Sequence, residues 1–340
     1  MSIYLHDIPL PEAQDKLKQA LISAGLWGRL GIESIALDVH TVGRVLAEPV
    51  WAKVSSPHYH ASAMDGFAVR TAETSTAGPA TPVTLQYSAQ TVYVDTGDPL
   101  PEWADGVIPI EQVEPVDEGD VIALDARRPR AIRIRAALTP WSHVRPVGED
   151  IVATQLVLPE GHRLRPVDLG ALAASGQASV NVARSPKVAI LPTGSELVPV
   201  GHPAQPGEII EYNSLVMAAQ LQSWGARPTR YPITPDIFTA IQEKVLEAAM
   251  DHDLVLLNAG SSAGAEDFSA GVIGSLGEVL VHGVAVRPGH PVILGMLHLG
   301  QRYVPVVGVP GYPVSAALTL EIFVAGLIAR WLVTAPQQPQ

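Results

Sequence analysis

Hydrophobic and polar residues follow two different periods in the first half of the chain. Across Pro11–Gly25, apolar residues recur at helical spacing, which predicts an amphipathic helix that ends at the glycine. The same reasoning predicts a second helix over Val39–Leu46. From Val50 to Ile134 the pattern changes to short β-branched runs separated by Pro, Gly and Asp, which is typical of a small β-rich domain. Another helix is predicted after Pro166.

After Ser185, predicted strands alternate regularly with predicted helices. The stretches "KVAILPT", "RPTRYPI" and "DLVLLNAG" predict strands, and "NSLVMAAQLQSWG" predicts a helix with Asn213 as its N-cap. This alternation indicates a largely parallel sheet covered by helices on both faces. We therefore expect a multi-domain α/β protein with a discontinuous helical N-terminal domain (1–50 and 140–184), a β-rich domain (51–139) and an α/β domain (185–334).

Composition and charge narrow the possible chemistry. The net charge is −12 without a cluster of Lys and Arg, so nucleic-acid binding is not expected; the basic run Arg127–Arg135 alternates with apolar residues and predicts an exposed strand face. The absence of cysteine excludes disulfides, thiolate nucleophiles and thiolate zinc sites. The N-terminus lacks a signal-peptide pattern, which predicts a cytoplasmic protein. The apolar segment Leu318–Val333 contains Glu321 and Arg330 and is short for a membrane span, so we expect a buried or interface helix and no membrane contact.

Four loops are predicted to follow strand ends at one edge of the α/β sheet. They are Pro192–Leu197, Asn258–Gly264, Arg287–Pro291 and Val309–Ser315. Ligands of open α/β sheets bind at this edge, and glycine-rich turns let backbone amides approach phosphate oxygens. None of the loops has the dinucleotide or P-loop spacing. Any one of them alone is explained by a tight strand-to-helix connection, whereas four together favour an anion site.

Carboxylates beside these loops suggest a divalent cation. Glu196 lies in the first loop, and Glu266 and Asp267 follow the second. Mg²⁺ bridges carboxylate and phosphate oxygens, so these residues are candidate ligands. An acid in the first turn of a helix also stabilises the helix dipole, which is the alternative for Asp267, and Glu196 could be a solvated loop residue. His58 and His60 are spaced like a metal pair, although packing or surface exposure explains them more simply.

Together with the four loops, three further motifs carry a family resemblance. "SAMDGFAV" (62–69), "DTGDPLP" (95–101) and "GEDI" (148–151) resemble motifs of the molybdopterin molybdenumtransferases, the family of MoeA and of the gephyrin E domain. The resemblance covers almost the whole chain. It implies an enzyme that inserts molybdate or tungstate into adenylylated molybdopterin with release of AMP. It also implies a MoaB/Mog-like α/β sandwich, an elongated β-rich domain and a helical N-terminal domain, in a homodimer whose site lies between subunits.

The resemblance also assigns roles to single residues. It implies catalytic roles for Asp65, Asp150, Glu196 and Asp267, and Mg²⁺ binding by Asp65, Glu196 and Asp267. A turn-capping role before a glycine is the alternative for Asp65. The positions implied in binding the pterin, its phosphate and the oxyanion are Thr96, Thr193, Gly194, Ser195, Gly260, Ser261, Ser262, Gly264, Arg287, His290, Pro310, Gly311 and Ser315.

Several departures from the family pattern bear on activity. The family motif "KPGKP" is "RPGHP" here, with Arg287 permanently charged and His290 charged only in part near neutral pH. "PGNPVS" becomes "PGYPVS" with Tyr312, "SGGVSVGEADY" becomes "NAGSSAGAEDF", and the arginine-rich run before "GEDI" is reduced to Arg145. The chain stops soon after the last predicted helix, where family members continue into a C-terminal β-barrel domain. In these respects it is similar to MoeA-like proteins fused to a periplasmic-binding-protein-type domain.

Three functions stay open at this level. The first is metal insertion, and an adenylyltransferase that supplies adenylylated molybdopterin would then be a partner. The second is a non-catalytic molybdopterin-binding carrier, scaffold or sensor. The third is a generic nucleotide-binding α/β domain, which the missing nucleotide loops disfavour.

Overall fold

The computed structural model describes residues 7–259 and 263–335, which form two compact units. The first, the α/β unit, comprises Met1–Glu48, Pro159–Pro166 and Ser179–Gln340. The second, the β-rich unit, comprises Pro49–Leu158 and Val167–Ala178. These boundaries group the first helix with the α/β sheet, whereas the sequence predicted three domains with limits at 50, 139 and 184. That three-domain division stays a prediction.

The helices and strands of the described residues follow in chain order. The helices are α1 (Leu10–Ser23), α2 (Pro166–Ala174), α3 (Asn213–Ser223), α4 (Phe238–Asp251), α5 (Ala263–Leu276), α6 (Pro313–Thr319) and α7 (Ala325–Leu332). The strands are β1 (Ile32–Ala36), β2 (Val50–Trp51), β3 (Ala61–Ser62), β4 (Gly66–Val69), β5 (Val83–Gln86), β6 (Thr91–Val94), β7 (Gly106–Pro109), β8 (Val113–Val116), β9 (Ala131–Ile134), β10 (Val144–Arg145), β11 (Leu156–Leu158), β12 (Ser179–Ala183), β13 (Lys187–Pro192), β14 (Leu197–Val198), β15 (Ile209–Ile210), β16 (Arg227–Arg230), β17 (Leu254–Asn258), β18 (Gly277–His282), β19 (Ile293–Leu299) and β20 (Arg302–Val309).

The α/β unit is built on a mixed sheet with the strand order β16-β13-β17-β20-β19-β18. The pairs β13–β16, β13–β17 and β17–β20 are parallel, while β19 runs antiparallel to both β20 and β18. Two successive reversals return β18 to the direction of β20. The carboxyl ends of β13, β17, β18 and β20 therefore lie at the same edge, as the sequence predicted for the loops that follow them.

Both faces of this sheet are buried, and successive residues of each strand contribute to opposite faces. On β13, Val188 and Ile190 belong to a core cluster with α1, α3 and the C-terminal helices. Ala189 and Leu191 belong to a second cluster with α4 and α5. A strand buried on both sides reads as a continuous apolar run, which is why "KVAILPT" predicted a strand correctly. The prediction of a sheet covered on both faces is confirmed.

The C-terminal helical run packs as a core helix of the α/β unit. It extends from Pro313 to Leu332, with a π-helical segment at Leu320–Val324, and Ile328 and Trp331 are fully buried. The run has 20 residues, and its most apolar window of 18 residues has a mean hydropathy of 1.6. By length and composition it could cross a membrane, so the prediction that it is too short is wrong. Its burial confirms the prediction of a buried helix: 61% of its most apolar window lies inside the protein.

The second predicted helix, Val39–Leu46, does not form. Only a 3₁₀ turn at Val39–Thr41 is present, and Gly43 follows it at a φ of 81°, a left-handed conformation that interrupts a helix. Beyond the glycine, Val45 bridges to Arg163 and Leu46 bridges to Val182. Pairing with distant backbone therefore replaces the local helical hydrogen bonds.

The β-rich unit contains two three-stranded antiparallel sheets, β6-β4-β7 and β5-β9-β8. Between them lies a small core, which includes the fully buried Phe67 and Ile132. The basic run falls on β9 and the residues next to it, and Arg135 donates to Glu114 at 2.8 Å from its Nε. This pairing is consistent with the predicted exposed strand face.

Candidate functional site at the carboxyl edge of the α/β sheet

Three loops at the carboxyl edge of the sheet line one cavity of about 160 Å³. Glu196 comes from the loop after β13, Asn258 from the end of β17, and Gly311 from the loop after β20. The start of α3 supplies Asn213. The strand directions alone place these loops together, so the cavity is where an α/β sheet binds its ligand.

Backbone hydrogen bonds to neighbouring strands hold the loop Thr193–Glu196. The Thr193 amide donates to the Asn258 carbonyl at 2.9 Å, and the Gly194 amide donates to the Thr234 carbonyl at 3.1 Å. A Cβ at Gly194 would lie 2.8 Å from Leu197 Cγ and 3.0 Å from Glu196 Oε2. Glycine is therefore needed for the loop to fold back and present the Glu196 carboxylate at the cavity.

Asp236 supports this loop, and sequence reasoning missed it. Its backbone amide donates to Ser195 Oγ at 3.2 Å, and the Ser195 amide donates to Asp236 Oδ2 at 3.3 Å. Asp236 Oδ1 is buried without a hydrogen-bond partner in the described parts of the chain. Burial raises the pKa of Asp236, and the negative charge of Glu196 raises it further, against the opposing effect of the Ser195 amide. The two residues are 41 positions apart in the sequence, so this pairing is visible only in the tertiary structure.

Asn213 and Asn258 join the start of α3, the end of β17 and the loop after β20 through their side-chain amides. Asn213 Nδ2 donates to the Gly311 carbonyl at 2.7 Å and to Asn258 Oδ1 at 3.3 Å. Asn258, which is 3% exposed, donates from Nδ2 to the carbonyls of Val309 and Pro310, each at 3.2 Å. The Asn213 and Asn258 side-chain amides therefore cross-link the backbone at the base of the cavity, and their hydrogen bonds go to other protein groups.

The predicted N-cap role of Asn213 is wrong. The helix α3 begins at Asn213, and the side chain that caps it is the buried Glu211, whose Oε1 accepts from the Ser214 amide at 2.7 Å. Glu211 Oε2 accepts from the Ser214 hydroxyl at 2.6 Å, and Arg230 Nε donates to that hydroxyl at 2.8 Å. A carboxylate at a helix N-terminus is stabilised by the free amides and the helix dipole. Asn213 is thereby left to bind the loops.

The remaining predicted residues of this edge divide into two groups. Arg287 and His290 are exposed and lie in the loop after β18, where Gly289 lies against the Ser315 carbonyl of α6. Ser315 itself is 6% exposed. The structure thus brings this loop to α6, whereas Arg287 and His290 do not line the cavity that Glu196 lines.

Gly260, Ser261 and Ser262 lie outside the described residues. Gly264 and Asp267 belong to the N-terminal part of α5, which starts at Ala263.

In the β-rich unit, the structure joins Asp65 to Thr96, which belong to two different predicted motifs. Asp65 Oδ1 accepts from the Thr96 amide and from the Thr96 hydroxyl, both at 2.8 Å. These hydrogen bonds, together with the positive charge of Arg127, hold the pKa of Asp65 below its ordinary value. A Cβ at Gly66 would lie 2.1 Å from the Ile108 carbonyl oxygen, so the motif requires glycine after the aspartate.

Asp150 is held by a separate ion pair in the same unit. Arg145 Nη2 donates to both carboxylate oxygens of Asp150, at 2.9 and 2.8 Å, and Arg145 Nε donates to Glu149 at 2.7 Å. His60 Nδ1 accepts from the Val147 amide at 3.2 Å. The ring centroids of His60 and Trp141 are 4.9 Å apart, which is a packing role for this histidine.

Within the residues described, no group of three or more His, Asp or Glu side chains is arranged to hold a metal ion. Glu196 is the candidate Mg²⁺ ligand whose carboxylate lines the cavity. Mg²⁺ is commonly held by one or two carboxylates and completed by water and substrate phosphate oxygens. Glu211 also lines the cavity, but its carboxylate accepts hydrogen bonds from the Ser214 amide and hydroxyl. Glu196 is therefore the lining carboxylate that fits such an ion.

The fold and the site define a class of protein. A doubly covered α/β sheet, with loops that meet in a cavity at its carboxyl edge, is typical of proteins that bind a small molecule there. The lining combines two carboxylates, two side-chain amides and apolar residues, without a nucleotide fingerprint.

Comparison with known proteins identifies the family. Residues 8–176 match the family described as "MoeA N-terminal region (domain I and II)", and residues 189–330 match "Probable molybdopterin binding domain". Molybdopterin molybdenumtransferase 2 of Mycobacterium tuberculosis is 34% identical over 306 residues, which cover 83% of this chain and 71% of that protein. Molybdopterin molybdenumtransferase of Haemophilus influenzae is 32% identical over 297 residues, with 84% and 70% covered.

A solved MoeA structure from Pyrococcus horikoshii has a TM-score of 0.79 and 29% identity, covering 96% of this chain and 81% of that one. The chain therefore belongs to the molybdopterin molybdenumtransferase (MoeA) family, which is a family of enzymes of molybdenum cofactor biosynthesis.

Proposed function

We propose that this protein inserts molybdate or tungstate into adenylylated molybdopterin and releases AMP. The observation that carries the proposal is the meeting of the loops after β13, β17 and β20 in one cavity, in a chain that belongs to this family. Backbone amides and side-chain amides at such an edge suit an anionic pterin with its phosphate.

Glu196 and Asp65 have distinct proposed roles. Glu196 faces the cavity on a loop braced by Asp236, so it is suited to hold a cation or to orient the attacking water. Asp65 is kept ionised by Thr96 and Arg127, which suits a carboxylate that must stay negative at neutral pH. Asp150 and Asp267 complete the proposed catalytic set.

We include Mg²⁺ in the proposal, with Glu196, Asp65 and Asp267 as its candidate ligands. Bound there, the ion would supply a Lewis acid that neutralises charge on the phosphoanhydride. The chain's own contribution is to place the Glu196 carboxylate and the loop amides around the phosphate group. A homodimer, a molybdopterin adenylyltransferase partner and a cytoplasmic location also belong to the proposal. Light scattering of the purified protein tests the dimer.

The activity is tested by AMP release. Purified protein is incubated with adenylylated molybdopterin and Mg²⁺, and AMP is quantified with and without molybdate. We expect molybdate-dependent AMP release that falls at least tenfold in Glu196→Gln and in Asp65→Asn, because single electrostatic groups at an active site commonly contribute on the order of 100-fold.

Matched controls separate the site from a general loss of charge. Glu243→Gln, on the exposed side of α4, and Glu102→Gln, in the β-rich unit, each remove one exposed carboxylate and should keep full activity. Tight binding of adenylylated molybdopterin without AMP release on addition of molybdate would reject the enzyme and favour a carrier, scaffold or sensor.

A further inference from the structure

Two tyrosines that line the cavity have side chains that are exposed. Tyr312 is 68% exposed and Tyr212 is 44% exposed, and both line the cavity that contains Glu196. Among the residues whose side chains the structure describes, none makes a hydrogen bond or a ring contact with either tyrosine side chain. By contrast, the Tyr93 hydroxyl donates to Asp95, and the Tyr303 ring contacts His298.

The backbone places these two tyrosines next to each other. Tyr212 immediately precedes α3, and Tyr312 immediately precedes α6. The hydrogen bond from Asn213 Nδ2 to the Gly311 carbonyl, 2.7 Å long, joins the residue after one tyrosine to the residue before the other. Because Asn213 also donates to Asn258 Oδ1, the backbone that carries both tyrosines is held in place at the cavity.

The rest of this rim is apolar, and the base is polar. Ile209 and Ile210, which line the cavity on the short strand β15, are 43% and 38% exposed. Exposed aromatic and aliphatic surface above amide donors and acceptors is the usual composition of a pocket for a flat ring with polar edges. The volume of about 160 Å³ is below the roughly 300 to 1,000 Å³ of pockets that enclose a whole ligand, so it suits one ring system.

We propose that Tyr212 and Tyr312 form an aromatic clamp that stacks on a planar heteroaromatic ring of the ligand. The identity of that ring rests on the proposed function, whose substrate carries two such rings, a pterin and an adenine. Stacking on an aromatic side chain requires only a π-face, so both rings satisfy the chemistry. Titration with each ring separately distinguishes them.

The test is calorimetric titration of the full chain with three probes: 6-carboxypterin, AMP and ribose 5-phosphate, which has no ring system of this kind. Tyr312→Leu and Tyr212→Leu should each lower the affinity for whichever ring-bearing probe binds by roughly five- to tenfold, the lower end of the range for base–aromatic stacking. Tyr312→Phe and Tyr212→Phe should stay within about twofold, because the π-face is retained. The affinity for ribose 5-phosphate should not change.

Tyr303→Leu is the matched control, since this tyrosine is 41% exposed in the same unit but does not line the cavity. It should bind all probes like the unaltered protein. The clamp is overturned if the leucine variants keep full affinity for the ring-bearing probe, or if their affinity for ribose 5-phosphate falls as much as that for the ring-bearing probe. It is also overturned if neither ring-bearing probe binds the unaltered protein. Circular dichroism of each variant checks that it is folded.

AMP release by the unaltered protein distinguishes failure of the clamp from failure of the proposed function. Molybdate-dependent turnover together with unaffected ring binding in the leucine variants rejects the clamp alone. Ring binding that requires the tyrosines, without turnover, rejects the enzyme and retains the clamp.

Discussion

The amide cross-link at the base of the cavity gives the sharpest stability prediction. Asn258→Ala removes a side chain that is 3% exposed and that makes hydrogen bonds to Val309, Pro310 and Asn213 at 3.2 to 3.3 Å. A net hydrogen bond contributes about 0.5 to 1.5 kcal/mol, so the three together should contribute about 1.5 to 4.5 kcal/mol. We expect a loss of this size in the free energy of unfolding.

Urea denaturation followed by far-UV circular dichroism measures this loss. The matched control is Asn181→Ala, because Asn181 makes one partly exposed hydrogen bond, from Nδ2 to Glu48 at 2.7 Å, and its loss should cost under about 1 kcal/mol. Asn258→Asp should destabilise at least as much as Asn258→Ala, since it turns a donor toward two carbonyls into a carboxylate. Equal losses in Asn258→Ala and Asn181→Ala would refute the cross-link.

Three further predictions concern charge and packing. Asp236→Asn should raise the melting temperature near pH 7, because the raised pKa of Asp236 means that its charged form destabilises the fold. Below the unfolded pKa the carboxyl is protonated in both states, so the difference in melting temperature should vanish. A stabilisation that persists unchanged at low pH would contradict this account. Asp65→Asn should remove a stabilisation that is present above the unfolded pKa of Asp65 and is lost as the pH falls through its lowered folded pKa. Melting temperatures of the variant and the unaltered protein, measured against pH, test this. A difference in melting temperature that does not depend on pH would argue against it. Phe67→Ala should lower the free energy of unfolding by about 3 to 5 kcal/mol, because it leaves a cavity in the core of the β-rich unit. Tyr87→Phe in the same unit should change the free energy of unfolding little. A loss under about 1 kcal/mol for Phe67→Ala, measured by urea denaturation, would show that the core closes around the cavity.

The sequence by itself determined the strands of the six-stranded sheet, the helices that cover it after Ser185, and the edge that carries the loops. Strands buried on both faces must be apolar at every position, and amphipathic helices must repeat at helical spacing, so these periods can be read from residues 187–332 without any contact information. Parallel strands then place their carboxyl ends together by geometry alone. This is why Glu196, Asn258 and Gly311 could be expected at one edge before any distance was known.

Only the tertiary structure decided which side chains serve that edge. Glu211, not Asn213, caps α3, and Asn213 binds Gly311, 98 residues further along the chain. Asp236 supports Ser195 across 41 residues, and no local pattern reports such a pairing.

The failed helix at Val39–Leu46 has the same physical cause. Its residues had acceptable local spacing, but pairing with Arg163 and Val182 replaced the helical hydrogen bonds. Periodicity reports which face of an element is buried, whereas partners distant in the chain are chosen by the packing of elements against each other, and that choice leaves no local trace in the sequence.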